Sequence, residues 1–204
     1  MKFLNLTAGL AFGCVSLLSV ATASPGQQPA PGLSSEIVLT IDSKQSKTSW
    51  SVDSTLHTVH GEFALKGGIL RFDTVTGRAA GEILVYAPSG DSGNASRDAR
   101  MHKEILESAK YPDITFRPTQ FDGKLTTPGR SEGNLHGILS IHGAEHEIVV
   151  SVQANLTSDH WTGTAKVEVP YVKWGMKDAS NFLLKVKPVV SVGVDLSGTV
   201  GATK

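Results

Sequence analysis

The sequence predicts an all-β protein, an eight-stranded antiparallel β-barrel with one short α-helix capping an end. Three observations carry this expectation. From Glu36 to Leu196 apolar residues recur with a period of two, the spacing that buries one face of a strand. The gaps between these runs are almost all too short for crossover helices, so neighbouring strands run antiparallel. One segment between Ala87 and Pro112 changes to helical spacing.

The first part of the 204-residue chain stands outside that pattern. Met1-Lys2 is a short basic start and Phe3–Val20 is mostly apolar. Ala21-Thr22-Ala23 then supplies the small-x-small pattern of a leader-peptidase site. Asn5, Thr7, Gly9 and Gly13 interrupt the apolar run, which makes it a poor permanent anchor. Residues 1–23 are therefore expected to be a signal peptide cleaved near Ala23, and the protein to be periplasmic or secreted. A lipid-modified Cys14 is the competing reading, but Phe12 stands where a small residue is wanted. Residues 24–35, rich in Pro, Gly and Gln, read as a flexible tether, which leaves 36–204 as the barrel domain.

Cys14 is the sole cysteine, so the mature chain has none. Disulfides, thiolate catalysis and cysteine–metal sites drop out together. Losing Lys2 leaves 18 of the 19 basic residues against 19 acidic ones. That balance gives no support to nucleic-acid binding or to electrostatic capture by an anionic membrane.

In chain order, "TSWSV" places Thr48, Trp50 and Val52 on one face, and "HTVHGEFAL" does so for Val59, Gly61, Phe63 and Leu65. "ILRF", "GEILVY", "DITFRPTQF", "LHGILSI", "EIVVSVQANL", "WTGTAKVEVPY" and "PVVSVGVDL" continue the series, with turn-forming residues between most of them. After the turn-rich "SGDSGNAS", the stretch "SRDARMHKEILESAK" reads as the helix. Ser96 is its expected N-cap, and Asp98 sits where a carboxylate meets the positive end of the helix dipole. Met101, Ile105 and Ala109 form an apolar stripe and Pro112 stops the helix. So short a helix cannot bury its stripe alone, but it can when laid across an open barrel end.

"SIHGAEHEIVV" contains His142, Glu145 and His146 in the H-x-x-E-H order of some zinc proteases. That chemistry needs a helix, where residues four apart share a face. Gly143 and the β-branched run after Glu147 favour a hairpin instead. With Gly143-Ala144 as a type II′ turn, His142 faces Glu145, Ile141 faces His146, Leu139 faces Ile148 and Leu135 faces Val152. His142 and Glu145 then form an exposed pair, and His146 sits near the rim. The next hairpin, turning at Ser158-Asp159, sets Leu156 opposite Trp161, Ala154 opposite Gly163 and Val152 opposite Ala165. Small residues on an inward face leave room, so the barrel is expected to enclose a cavity. The competing reading fills the space with Phe63, Phe72 and Trp161.

The chain resembles the YceI family, whose members are lipocalin-like. "IDSKQSKTSWSV" followed by "VHGEF" is similar to the family's first hairpin. The most specific piece is Ser92 to Pro118, with Arg97-Asp98, Met101-His102, Leu106, Tyr111-Pro112 and Ile114-x-Phe116 in the family's pattern. "GNLHGILSIHGAEHEIVVSV" corresponds to its Gly-x-Leu-x-Ile-x-Gly hairpin. The resemblance implies a barrel whose long apolar pocket holds an amphiphile with a polyisoprenoid or fatty chain, and export to the periplasm. Many members carry an aromatic pair after the helix-region Leu, where this chain has Glu107-Ser108-Ala109-Lys110, a departure at the pocket mouth.

Trp50, Phe63, Phe72, Phe116, Trp161 and Trp174 are the aromatic candidates to line the pocket, with Val52, Ile83, Met101 and Ile105 beside them. Plain core packing is the alternative for each. Arg97, Asp98 and His102 either clamp a ligand head group or pin the helix to the barrel end. His57 and His60 fall on opposite faces of one strand, and no spacing joins His57, His102 and His146 into a metal site. "YVKWGMKDASNF" breaks the alternation and reads as a loop at the mouth, with Trp174 and Met176 able to cover a lipid tail.

No nucleophile elbow, phosphate loop, dinucleotide fingerprint or paired-carboxylate signature is present. The expectation is a non-enzymatic binder or carrier of a long-chain amphiphile: a polyisoprenoid, an isoprenoid quinone or a fatty-acid derivative. It has no catalytic residue, no metal ligand and no cofactor beyond a bound isoprenoid or fatty lipid. Its partner is that small amphiphilic lipid and no nucleic acid; transient contact with a membrane or membrane protein, and a homodimer, are compatible with it. The competing classes are a histidine-based metal-dependent or redox-associated periplasmic protein and a ligand-free structural barrel.

Overall fold

In the computed structural model, which describes residues 36–202, ten strand segments follow one another. They are β1 (Glu36–Ile41), β2 (Lys47–Asp53), β3 (Thr58–Phe63), β4 (Leu65–Asp73), β5 (Ala79–Tyr86), β6 (Asp113–Lys124), β7 (Gly129–Ile141), β8 (Ala144–Leu156), β9 (His160–Val169) and β10 (Val190–Ala202). A helix, α1 (Ala95–Arg100), continues into a π-helical turn (Met101–Ile105) between β5 and β6. The leader, the tether and Cys14 lie outside the described residues.

Eight strands close into a ring in the order β1-β4-β5-β6-β7-β8-β9-β10, and β10 pairs back to β1. All pairings are antiparallel, as the short connections require. The two additional segments arise because two long strands are broken. The chain leaves the ladder between Ile41 and Lys47, so β10 pairs with β1 through Gly198–Ala202 and with β2 through Ser191–Asp195. Ser46 holds the break, its hydroxyl bonded to both the N–H and the carbonyl of Ser197. Ala64 separates β3 from β4, with its N–H on the Ser89 hydroxyl and its carbonyl on the Tyr86 N–H. Beyond that kink β3 pairs only with β2, and its free edge is covered by reciprocal backbone bonds between Glu62 and Asp91.

Inward residues gather into two apolar clusters. One contains Leu39, Leu70, Phe72, Phe121, Leu135, Leu156 and Trp161. There Phe72 and Phe121 meet edge to face, and the Trp161 indole donates to the Thr40 carbonyl at 3.2 Å. The other contains Ile141, Val169, Tyr171 and Met176, with Ile105 of the π turn and the Leu106 that caps it against the cluster.

Two local expectations are corrected. The β7–β8 turn is centred on His142-Gly143, not Gly143-Ala144. Both residues have positive φ (52° and 76°), the requirement of a type I′ turn. Leu139 therefore pairs with His146 and Leu135 with Val150. The shift is two residues, so every side chain keeps its expected face. His142 and Glu145 are no cross-strand pair: His142 bonds Glu107 at 2.7 Å and Glu145 bonds Arg117 at 2.6 Å. The Ser158-Asp159 hairpin has the expected register.

The helix is also shorter than expected. Asn94 is its N-cap, accepting from the Arg97 N–H at 3.0 Å, and Ser96 is not. The π turn, closed by Leu106 N–H on the Met101 carbonyl, adds a residue to the last turn. Met101, Ile105 and Leu106 consequently face the barrel, whereas Ala109 is exposed.

Candidate functional site

Between the two clusters lies a cavity of about 680 Å³, within the range typical of ligand pockets. Its residues come from every strand of the ring, through the alternate positions that the period of two sends inward. Leu156 and Trp161, 2% and 4% exposed, stand in the cluster at the end remote from the helix. Ala154, Gly163 and Ala165 line the wall, and their small side chains leave space where larger ones would fill it. Gly61 lets the Trp50 indole lie across β3: a Cβ there would come within 2.4 Å of the ring.

The helix end is the entrance. Met101, Ile105 and Leu106 cover part of it from above. His57, Asn94 and Ser96 line the cavity and are exposed, with Arg97, Arg100, Leu184 and Val186 beside them. Three segments thus frame the mouth: the start of α1, the β2–β3 turn, and the strap that runs from Ala179 to Lys187. Thr55 N–H donates to the Lys185 carbonyl at 2.9 Å, joining turn to strap. Arg100 donates to the carbonyls of Ala179 and Ser180, joining helix to strap.

Most of the sequence-derived candidates meet here. Trp50, Val52, Phe63, Phe72, Ile83, Arg97, Met101, Ile105, Phe116 and Trp161 all line the cavity. Asp98, His102 and Trp174 do not. Asp98 accepts from the hydroxyl and N–H of Ser92, and Arg97 donates to the Ser92 hydroxyl (2.7 Å) and carbonyl (2.9 Å). Burial pushes the Asp98 carboxyl up, but the two Ser92 bonds and the Arg97 charge outweigh it and hold it below the usual carboxylate range. His102 Nε2 meets the Gly90 carbonyl at 2.9 Å; a carbonyl only accepts, so Nε2 donates, which leaves Nδ1 facing the Ser108 hydroxyl at 3.1 Å. Asp98 and His102 are therefore pins of the helix. Trp174 stacks flat on His146 outside the cavity, with ring centroids 4.0 Å apart.

Sequence reasoning missed Arg100 and Tyr171. Arg100 carries no signal because it bonds carbonyls, which every residue has. Tyr171 is buried and accepts from the Ala179 N–H at 3.2 Å, so it braces the strap from within. Burial pushes its phenol up. Two polar atoms of cavity-lining residues, Thr48 Oγ1 and Trp50 Nε1, are buried without a protein partner. Each is an unmade hydrogen bond sealed inside the wall, out of reach of an oxygen in the cavity.

The three H-x-x-E-H residues go to three separate partners, Glu107, Arg117 and Trp174. Among the described residues no group of three or more His, Cys, Asp and Glu side chains is placed to hold a metal ion.

The sequence profile of the YceI-like domain matches residues 39–198. Comparison with curated proteins finds no match. Among solved structures, a polyisoprenoid-binding domain from Saccharophagus degradans implicated in plant cell wall breakdown is similar, with a TM-score of 0.63 at 14% identity over 83% of this chain and 99% of that one. BcnA from Burkholderia cenocepacia gives 0.64 at 18% identity over 78% and 99%. The YceI protein of Campylobacter jejuni gives 0.51 at 13% identity over 72% and 81%. At these identities the likeness is one of fold.

Proposed function

The chain belongs to the YceI-like domain family, and from that premise we propose that its barrel binds one long-chain amphiphile, a polyisoprenoid or fatty derivative, without chemical change. The observation that carries this is the cavity itself. Its lining runs from Leu156 and Trp161 to Leu184 and Val186 at the mouth, is almost wholly apolar, and includes two arginines beside the opening. Burying a tail there contributes about 0.8 kcal/mol per CH₂. Polar groups at the mouth, among them His57, Asn94 and Ser96, then choose among head groups. The polyisoprenoid-binding relative supports the ligand class. Met1–Ala23 supports export, which makes the protein a carrier or store of lipid outside the cytoplasm.

Arg97, a lining residue, keeps its guanidinium on Ser92 and is read as a support of the mouth rather than a free anion clamp. The test is organic extraction of protein purified from its own host without detergent, followed by lipid mass spectrometry. The reading expects a lipid with a long apolar chain in near-unit ratio. Extracts empty of lipid, together with no uptake of added fatty or prenyl chains, would contradict it.

A further inference from the structure

Two tight turns beside the mouth carry residues that turns rarely choose. In the turn Asn181–Leu184 the central residues are Phe182 and Leu183, 97% and 87% exposed. In the turn Ser54–His57 a central residue is Leu56, 79% exposed. Such positions favour Gly, Asn, Asp, Ser and Pro. Large apolar side chains held out in water there gain nothing for the fold.

Both turns are built to hold their shape. The Asn181 carboxamide oxygen accepts from the Leu183 and Leu184 N–H groups at 2.9 and 2.8 Å. The Ser54 hydroxyl donates to the His57 carbonyl at 2.7 Å. Turn and strap are then joined by Thr55 N–H on the Lys185 carbonyl and by Lys187 N–H on the Asp53 carbonyl. Their neighbours in sequence, Ser54, His57, Leu184 and Val186, line the cavity. The three exposed side chains therefore sit on the rim of the entrance.

We propose that Leu56, Phe182 and Leu183 form a docking tip that inserts into the interfacial layer of a lipid bilayer and sets the cavity mouth against it. This rests on the reading of the cavity as a lipid site: a ligand with a long apolar chain resides in a bilayer, and a mouth pressed to that surface lets the tail pass without crossing water. Apolar insertion, rather than charge, holds the tip in place. Of the nearby charges, Lys187 pairs with Asp53 and Lys177 with Glu104, each at 2.7 Å, and Lys185, in the strap itself, acts on the Asp178 carboxylate. Interfacial binding of this kind scales with the apolar area buried.

The experiment is co-sedimentation of the full mature chain with phosphatidylcholine vesicles, with and without phosphatidylglycerol. The wild type is compared with the triple variant Leu56→Ser, Phe182→Ser, Leu183→Ser. A fluorescent fatty-chain probe in vesicle-free buffer reports the cavity separately. The expected result is binding to both vesicle types that the triple variant weakens by about tenfold or more, with probe affinity unchanged. Equal binding by wild type and variant overturns the proposal, as does no binding by either. Binding that requires phosphatidylglycerol and disappears in high salt overturns it in favour of electrostatic attachment. A wild-type dimer that the variant makes monomeric, with no vesicle binding, overturns it in favour of a second copy. Failure of the probe to bind strikes the cavity reading alone, because the vesicle comparison is read without it.

Discussion

Arg100 Nη1 donates to the backbone carbonyl of Ala179 at 3.0 Å, and this bond fastens the capping helix to the strap at the cavity mouth. Nη2 reaches the Ser180 carbonyl at 3.4 Å, and Glu104 lies 3.5 Å from Nε. Removing the fork leaves the strap held by Tyr171 and the β2–β3 turn. Arg100→Gln is expected to raise amide exchange over residues 179–186 about tenfold, the equivalent of about 1.4 kcal/mol. Global stability should fall less than that. Hydrogen-exchange mass spectrometry reads both, and an unchanged strap would remove Arg100 from this role.

Asp98 makes the helix anchor sensitive to acid. Its folded-state carboxyl lies below the ordinary value of 3.8, so the ionised form stabilises the fold in full above that value and is lost as pH falls through the lower one. Asp98→Asn should therefore lower Tm at neutral pH, by the few degrees that about 1.5 kcal/mol produces in a domain of this size. The difference should narrow as pH falls below 3.8 and close once the folded-state carboxyl is protonated. Thermal unfolding followed across pH checks both parts.

Thr48 gives a test in the opposite direction. Its hydroxyl is buried and unpartnered, and such a group opposes folding by about 1–3 kcal/mol. Thr48→Val keeps the shape and removes the cost. The ligand-free variant should melt at the same temperature as the wild type or a few degrees higher. A lower melting point would mean that the hydroxyl has a partner after all.

Ala165 separates cavity from core. It lines the cavity beside its cross-strand partner Val152, so a longer side chain there projects into the cavity space. Ala165→Phe should reduce probe binding tenfold or more, with a change in stability under about 1.5 kcal/mol, because the added carbons meet space rather than packed atoms. A loss of several kcal/mol would show that the wall is already close-packed.

Much of this was legible in the sequence, and the reason is the period of two. The wrong turn at Gly143-Ala144 displaced the β7–β8 register by two residues, and parity survived, so Leu135, Leu139, Ile141, Ile148, Val150 and Val152 still lined the interior. Small residues on that face, Ala154, Gly163 and Ala165, foretold the space. What the pattern could not carry were features supported from far along the chain. His142 takes its left-handed conformation with Glu107 bonded to its ring and Tyr111 packed against it. The π turn, the break at Ala64 and the Arg100 fork depend on backbone groups, which leave no mark in side-chain spacing. Trp174 looked like a pocket residue because it is large and apolar. His146, placed beside it by the fold, holds it outside.

The central claim is that one apolar tail occupies the barrel from the helix-covered mouth to the Leu156–Trp161 end. Calorimetric titration with a series of single-chain fatty amphiphiles of increasing length tests it most directly. The account predicts that affinity rises about fourfold per CH₂ and then levels off once the tail reaches that end, with the plateau arriving at a shorter chain in Ala165→Phe. Affinity independent of chain length, or an identical plateau in the filled variant, would contradict it.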